Sequence, residues 1–328
     1  MNLTDAIPFR LFTVGDHFLI EWILPETQND QPQLPFIQSL KEKNQVSHIG
    51  GRSFIPLSSL GEVISTLGSL KPSLFIYHAT RCGSTLMGRM LKSGTENRVF
   101  NEPSAVTELF MNFRSIDDTI IKKTHLSNMI GAFGLGAPTC QKNLVFKFAS
   151  LCNIFFDEIR AVFPDTPSVF MYRDPVEIMV SLVTEPSMWL DNVHSEKFVT
   201  FLPWSKKEAA TLDIEHLACL YLEQQFQWAI GQAEVFSRLV NYTELPEAGF
   251  EIAEKFLHAG IREKCSDVLL WNAKKPDKPF VPDSQKKQGM ASPQILELAE
   301  TRLYPLYRGL EAKRMEKLSS FKSLKGQS

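Results

Sequence analysis

The sequence predicts an α/β fold in which helices cover both faces of a parallel sheet. From residue 71 onward, short apolar runs that are typical of strands alternate with stretches that are typical of helices. Because parallel strands need helical crossover connections, this alternation favours a three-layer arrangement. The expected pairs of strand and helix are 73–79 and 86–93, 98–100 and 104–113, 143–148 and 151–163, 168–173 and 175–184, and 237–242 and 246–259.

The first 70 residues have a different character, with a strand-like run over 18–24 and no such alternation. We expect residues 1–70 to form a small appended element of unknown role, and residues 71–328 to form the main domain. The polar, lysine-rich segment 271–292 is expected to be a loop, and the stretch after Leu310 is expected to fray.

The overall charge excludes some classes of partner. The chain has 328 residues with a formal net charge of −2, which argues against a general nucleic-acid or acidic-membrane surface. Five cysteines without a Cys-x-x-Cys pair favour reduced thiols and no zinc site. The N-terminus lacks a leader-like pattern, and no apolar run approaches the roughly 18 residues that span a bilayer. We therefore expect a cytoplasmic protein without a membrane span.

A loop after the first strand of the main domain has the pattern of an anion site. The segment Arg81-Cys82-Gly83-Ser84-Thr85-Leu86 connects an apolar strand to a helix N-terminus. Unpaired N–H groups and the helix dipole converge at such a point, and Arg81 adds a positive charge. The loop has no Gly-Lys-Ser/Thr, so it is not an ATP or GTP P-loop. The pattern predicts a ligand that carries phosphate.

A second segment of the same kind lies 92 residues further along the chain. The apolar strand at 168–172 is followed by Arg173-Asp174-Pro175, and Ser181 lies eight residues after Arg173. An arginine fork and a hydroxyl are suited to a second phosphate. Either segment alone is ordinary strand-to-helix punctuation, whereas the two segments in this order rarely coincide by chance.

Together the two segments resemble the 5′-phosphosulfate and 3′-phosphate loops of the sulfotransferases that use 3′-phosphoadenosine 5′-phosphosulfate (PAPS). Val240-Asn241-Tyr242-Thr243-Glu244-Leu245 is similar to a Tyr-Glu-Asp-Leu strand end of that family, with Thr243 where the usual Glu stands. The resemblance covers roughly residues 71–292 and implies a P-loop NTPase-like fold. It implies transfer of a sulfuryl group from PAPS to a hydroxyl acceptor, or less readily an amine, releasing 3′-phosphoadenosine 5′-phosphate (PAP) without a metal. The residues that it places against the donor are Arg81, Cys82, Gly83, Ser84, Thr85, Leu86, Arg173, Ser181, Tyr242, Lys286 and Lys287.

The resemblance leaves two candidates for the catalytic base. Glu102 follows the strand at 98–100. Its position resembles that of the glutamate that acts as the base in tyrosylprotein and carbohydrate sulfotransferases, so Glu102 is the preferred base. The alternative is an ordinary acid at a helix start before Pro103. His125 stands in Lys-Thr-His, which resembles the base motif of cytosolic sulfotransferases, but its spacing places it on an inserted helix. Lys147 ends the strand at 143–148 and is expected to stabilise the leaving oxygen, the alternative being a solvated strand terminus.

The acceptor is not identified by the sequence. Aromatic residues in and around the inserts at 114–142 and 185–208 suggest an aromatic-lined entrance, although such clusters commonly only pack. They are Phe133, Trp189, Phe198, Phe201 and Trp204. A small molecule, carbohydrate, lipid or peptide hydroxyl would suit the chemistry, and the oligomeric state stays open.

Two other functions compete with sulfuryl transfer. A phosphoryl-transfer enzyme on the same scaffold would require a magnesium-binding acid on a core strand and a Gly-Lys-Ser/Thr loop, and neither pattern occurs. A catalytically silent nucleotide-binding module would keep the anion loops, and the presence of Glu102 and Lys147 only mildly opposes it.

Cys82 has two interpretations. Between Arg81 and a helix N-terminus, an accessible thiol would be reactive, because both neighbours stabilise the thiolate. The alternative is a small residue in a tight turn with its side chain pointing inward.

Overall fold

A computed structural model describes residues 6–25, 46–47, 53–195, 198, 201–275 and 277–323. The strands are β1 (Ile7–Val14), β2 (His17–Pro25), β3 (Val46–Ser47), β4 (Ser53–Pro56), β5 (Pro72–His78), β6 (Asn97–Asn101), β7 (Asn143–Lys147), β8 (Ser168–Tyr172) and β9 (Arg238–Asn241). The α-helices are α1 (Leu60–Leu67), α2 (Ser84–Lys92), α3 (Ser104–Asn112), α4 (Thr119–Gly134), α5 (Phe156–Val162), α6 (Pro175–Thr184), α7 (Met188–Asp191), α8 (Lys206–Ala209), α9 (Ile214–Gly231), α10 (Glu247–Leu257), α11 (Ser266–Leu270), α12 (Ser284–Gly289), α13 (Pro293–Leu298) and α14 (Tyr304–Ser323).

The main sheet has five strands in the order β6-β7-β5-β8-β9. Strands β6 and β7 are parallel and in register from Asn97 opposite Asn143, and β8 and β9 are parallel with Tyr172 opposite Asn241. All five residues of β8 are buried, as expected of a parallel strand that is covered on both faces. The predicted α/β class, with a parallel sheet flanked by helices, is confirmed.

A separate antiparallel sheet lies near the N-terminus, where β2 pairs with β1, β3 and β4. This sheet contacts the helices that follow β6. Arg10 on β1 forms an ion pair with Glu108 on α3 at 3.1 Å, and Phe18 on β2 meets His125 on α4 edge to face with ring centroids 5.4 Å apart. The appended element expected over residues 1–70 stays a prediction.

The chain forms two compact units. The first consists of residues 1–75, 85–167 and 249–280, and its core includes a cluster of phenylalanines built around Phe75, Phe146 and Phe148. The second consists of residues 76–84, 168–248 and 281–328. Its core includes Tyr77, Phe170 and Trp228. These units do not follow the boundary expected near residue 70, which stays a prediction.

Two expectations about the C-terminal part are wrong. The segment 271–292 is not all loop, since α12 occupies Ser284–Gly289. The stretch after Leu310 is helical as far as Ser323, as part of α14. The side chains of Tyr172 and Asn241 explain its order, because both donate hydrogen bonds to Oε1 of Glu311, at 2.6 and 2.7 Å. None of the described helices combines the length and apolar character needed to cross a bilayer.

We expect Tyr172→Phe to lower the free energy of unfolding by about 1–3 kcal/mol, because a buried hydroxyl–carboxylate bond is lost. Urea denaturation measures the change. Lys313→Ala is the matched control, since Lys313 on the same helix pairs with Glu234 at the surface and should cause no measurable change. Equal effects of the two substitutions would show that the Tyr172–Glu311 bond does not hold α14 in place.

Candidate active site

The predicted anion loop leaves β5 in an unusual backbone conformation. Thr80, Arg81 and Gly83 have φ values of 62°, 47° and 83°, which are rare for residues with a side chain. The N–H of Thr80 donates to Nδ1 of His78 at 3.0 Å, which holds the start of the turn. Helix α2 then begins at Ser84, so the first N–H groups of this helix, at Ser84, Thr85 and Leu86, have no partner within it. The loop has the backbone geometry that binds anions.

The loop glycine is required by a neighbouring aromatic ring. A Cβ atom at Gly83 would lie 2.5 Å from Cδ2 of Tyr242, closer than two carbon atoms approach. Tyr242 follows β9, and its ring centroid lies 4.1 Å from the guanidinium carbon of Arg173. Tyr242 therefore contacts both predicted anion segments, the first at Gly83 and the second at Arg173.

Arg81 points towards the end of α6. Its guanidinium donates to the backbone oxygens of Glu185 and Pro186, and Nη1 lies 3.7 Å from Oε2 of Glu185. A ligand at the loop would have to replace some of these contacts in order to recruit the Arg81 charge.

Cys82 is fully buried, and its Sγ lies 3.3 Å from the backbone oxygen of Met171. The expectation of an accessible, reactive thiol is therefore wrong, and the inward-facing alternative is confirmed. A contribution of Cys82 to ligand binding through its backbone stays a prediction.

Arg173 lies at the end of β8, and 5% of its side chain is exposed. Its Nε donates to Oε2 of Glu177, and its Nη2 donates to Oδ1 of Asp283 at 2.8 Å and to Oγ of Ser284 at 3.1 Å. Burial lowers the pKa of Arg173, but the hydrogen bond that Arg173 donates to Asp283 and the charge of Glu177 outweigh this effect and raise the pKa. The guanidinium stays charged and is held by hydrogen bonds to three residues.

The other residues predicted to bind the second phosphate lie on α6 and α12. Ser181 is half-buried on α6, one turn after Glu177, so the two residues share a face of the helix. Lys287 on α12 forms an ion pair with Oδ2 of Asp283 at 2.7 Å. Lys286 is exposed. Binding of a ligand by these residues stays a prediction.

Glu102 and Lys147 form an ion pair in the first unit. Strands β6 and β7 end side by side, and the N–H of Glu102 donates to the backbone oxygen of Lys147 at 2.6 Å. Lys147 has 0% of its side chain exposed, whereas Glu102 has 33%. Lys147 is therefore not a solvated strand terminus. The contact with Lys147 fixes the orientation of the Glu102 carboxylate.

Glu102 is not a helix cap. Helix α3 has Pro103 at its N-cap position and no acidic residue in its first turn, and Glu102 adopts a left-handed φ of 47°. A non-glycine residue in this conformation is uncommon and clusters at functional sites. His125 instead packs on Phe18, and burial lowers the pKa of its imidazole.

The aromatic residues expected at an acceptor entrance are buried. Trp189 stacks on Tyr221 with ring centroids 3.9 Å apart and also contacts Trp204. Phe133 packs against Phe100 and Phe146 in the first unit. Phe198 and Phe201 are buried as well. For these residues the packing alternative is confirmed.

Sequence reasoning missed Glu177, Asp283 and His78. The spacing of four between Arg173 and Glu177 was a usable signal, because such pairs meet at the start of a helix. Asp283 and Ser284 lie 110 and 111 residues beyond Arg173, and no local pattern connects them to it. Within the described parts of the chain, no group of three or more His, Cys, Asp or Glu residues is arranged to hold a metal ion.

Comparison of the sequence with known protein families and with curated proteins gave no match. Solved structures that resemble the chain at low identity include two sulfotransferase domains. The sulfotransferase domain from the curacin biosynthetic pathway is 14% identical, with 71% of this chain and 98% of that domain covered and a TM-score of 0.44. The sulfotransferase domain from the Synechococcus PCC 7002 olefin synthase is 13% identical, with 71% and 94% covered and a TM-score of 0.40. Similarity at this level does not determine activity, which rests on the residues themselves.

We expect Gly83→Ala to lower the free energy of unfolding by about 1–3 kcal/mol, because a methyl group would meet the Tyr242 ring and the left-handed φ would be strained. Thermal or urea denaturation measures the loss. Gly231→Ala is the control, since a Cβ atom there has no atom within 4 Å among the described residues outside its own helix turn. If Gly83→Ala is as neutral as Gly231→Ala, Tyr242 does not pack on the loop as described.

Proposed function

We propose that the protein is a PAPS-dependent sulfotransferase that transfers a sulfuryl group to a hydroxyl acceptor and releases PAP. The observation that carries this proposal is the Tyr242 ring, which contacts both Gly83 of the anion loop and the buried guanidinium of Arg173. A donor with a phosphosulfate at one end, a phosphate at the other and adenine between them matches two cationic segments beside one aromatic ring.

The proposed reaction uses an oxygen nucleophile on the acceptor. The acceptor oxygen attacks sulfur, and the bond from sulfur to the bridging oxygen of the 5′-phosphate breaks. The acceptor proton passes to the carboxylate of Glu102, and negative charge develops on the departing phosphate oxygen. Arg81 and the N–H groups at 83–86 would stabilise that charge, with no requirement for a metal ion.

Lys147 supports the proposed base in this scheme. Its ammonium contacts Oε1 of Glu102, so the carboxylate is held in one orientation. Because Lys147 is buried and Glu102 is partly exposed, the carboxylate is the member of the pair that an acceptor can reach. A role for Lys147 at the leaving oxygen belongs to the same proposal.

The alternatives have less support. Phosphoryl transfer with ATP or GTP would use a lysine in the loop, and this loop has Arg81 and no Gly-Lys-Ser/Thr. A silent binding module would not account for the buried Lys147 or for the left-handed backbone of Glu102. Each of these features costs stability, and such a cost is typical of residues that serve a function.

The direct test is turnover of PAPS with sulfur-labelled donor and a panel of phenol, sugar, lipid and peptide hydroxyls, with slow transfer to water as the baseline. Sulfuryl transfer with release of PAP in the presence of EDTA supports the proposal. Metal-dependent transfer of a γ-phosphate from ATP, or binding of PAPS without turnover of any acceptor or water, would favour one of the two alternatives.

We expect Glu102→Gln to reduce kcat by about 100-fold or more and to leave the affinity for PAP within about twofold, because only the proton acceptor is removed. Glu158→Gln is the matched control, since Glu158 is exposed on α5 and should change neither quantity. A steady-state assay and PAP titration measure the two effects. If His125→Ala abolishes turnover while Glu102→Gln does not, the base is His125.

A further inference from the structure

The carboxylate of Asp283 fills an anion-binding position. Its Oδ1 accepts a hydrogen bond from Nη2 of Arg173 at 2.8 Å, and its Oδ2 lies 2.7 Å from Nζ of Lys287. The Tyr242 ring covers the guanidinium from one side. Two cations contact this one carboxylate, and an aromatic ring covers one of the cations, as expected around one end of a phosphate ester.

The charges around this position are balanced. Glu177 accepts from Nε of Arg173, and Ser284 both accepts from Nη2 of Arg173 and donates to Oε2 of Glu177 at 3.2 Å. Arg173 and Lys287 supply two positive charges, which Glu177 and Asp283 neutralise. Burial of Asp283 raises its pKa, but bonds from Arg173 and Lys287 outweigh this and lower it, so the carboxylate remains ionised at neutral pH.

The two carboxylates that hold Arg173 differ in accessibility. Glu177 is 11% exposed and lies on α6, directly after the strand that carries Arg173. Asp283 is 40% exposed and precedes the six-residue helix α12. Only the exposed carboxylate can leave without opening the core, so Asp283 is the exchangeable partner of Arg173.

We infer that Asp283 is an internal competitor of anionic ligands: its carboxylate occupies the place of a terminal phosphate and is exchanged for a phosphate monoester. A monoester carries about −1.5 to −2 charges at pH 7, whereas the carboxylate carries one. A dianion gains more from Arg173 and Lys287 than Asp283 does, and a monoanion such as a phosphodiester gains no advantage. The internal carboxylate weakens the binding of both kinds of ligand by the same factor, and only the dianion gains enough to displace it readily. Only the identity of the natural ligand, PAPS, rests on the proposed function.

The exchange also has a structural consequence. Helix α12 is tied to the segment between β8 and α6 by the Asp283–Arg173 bond and by a bond from Nε2 of Gln288 to Oδ1 of Asp174 at 2.9 Å. Loss of the first bond leaves the segment 283–289 held by fewer contacts. A bound phosphate monoester should therefore speed hydrogen exchange at the amides of this segment.

The test uses small esters that need no nucleotide site. Methyl phosphate is the dianionic probe and dimethyl phosphate is the monoanionic probe, and phosphorus NMR titration measures both affinities for the full chain. Wild type should prefer methyl phosphate strongly. Asp283→Asn should bind both probes at least about tenfold more tightly than wild type, because the same internal competitor is removed for both, and its preference for methyl phosphate should stay about the same. Asp191→Asn, an exposed residue on α7, is the control and should resemble wild type.

Hydrogen exchange gives a second readout. Saturating methyl phosphate should speed exchange at 284–289 in wild type, and Asp283→Asn should exchange fast without ligand. Unchanged affinity of Asp283→Asn for both probes, or slower exchange of wild type with ligand, overturns the inference, because Asp283 would then only orient Arg173. If the probes behave as expected while PAP binds no better than ATP, the inference stands and the proposed donor is wrong.

Discussion

The buried guanidinium of Arg173 is the feature on which the rest of the candidate site depends. A buried charge is tolerated only when partners compensate for its lost hydration. Glu177, Asp283 and Ser284 supply those partners, and Tyr242 covers one side. The position of Tyr242 in turn leaves no room for a side chain at residue 83. One electrostatic requirement therefore extends from β8 to α12 and to the anion loop.

The register of the parallel strands explains why chemically useful residues meet in pairs. Strands β6 and β7 end at the same level, so Glu102 meets Lys147. Strands β8 and β9 end at the same level, so Arg173 meets the ring of Tyr242. In each pair, the residue that follows one strand contacts a residue at the end of the adjacent parallel strand. Parallel sheets characteristically place ligand-binding residues at strand ends for this reason.

The sequence predicted the α/β class and the strand ends because both depend on local patterns. Buried parallel strands are continuous apolar runs, and the polar residue that ends each run is visible beside them. The partners of those residues were harder to predict. Asp283 reaches Arg173 across 110 positions, and α14 is rich in charged side chains, so its docking through Glu311 has no simple periodic signal. The inward orientation of Cys82 depends on the turn geometry of the loop, and residue type did not decide it.

The central claim is that the two cationic segments bind one adenine nucleotide with phosphate at both ends. Isothermal titration calorimetry of the full chain with PAP and with ATP, in the presence of EDTA, tests it most directly. We expect PAP to bind without metal, with a dissociation constant at least about tenfold lower than the dissociation constant for ATP, because only PAP carries a 3′-phosphate for Arg173. Equal or tighter binding of ATP, or PAP binding that requires magnesium, would contradict it.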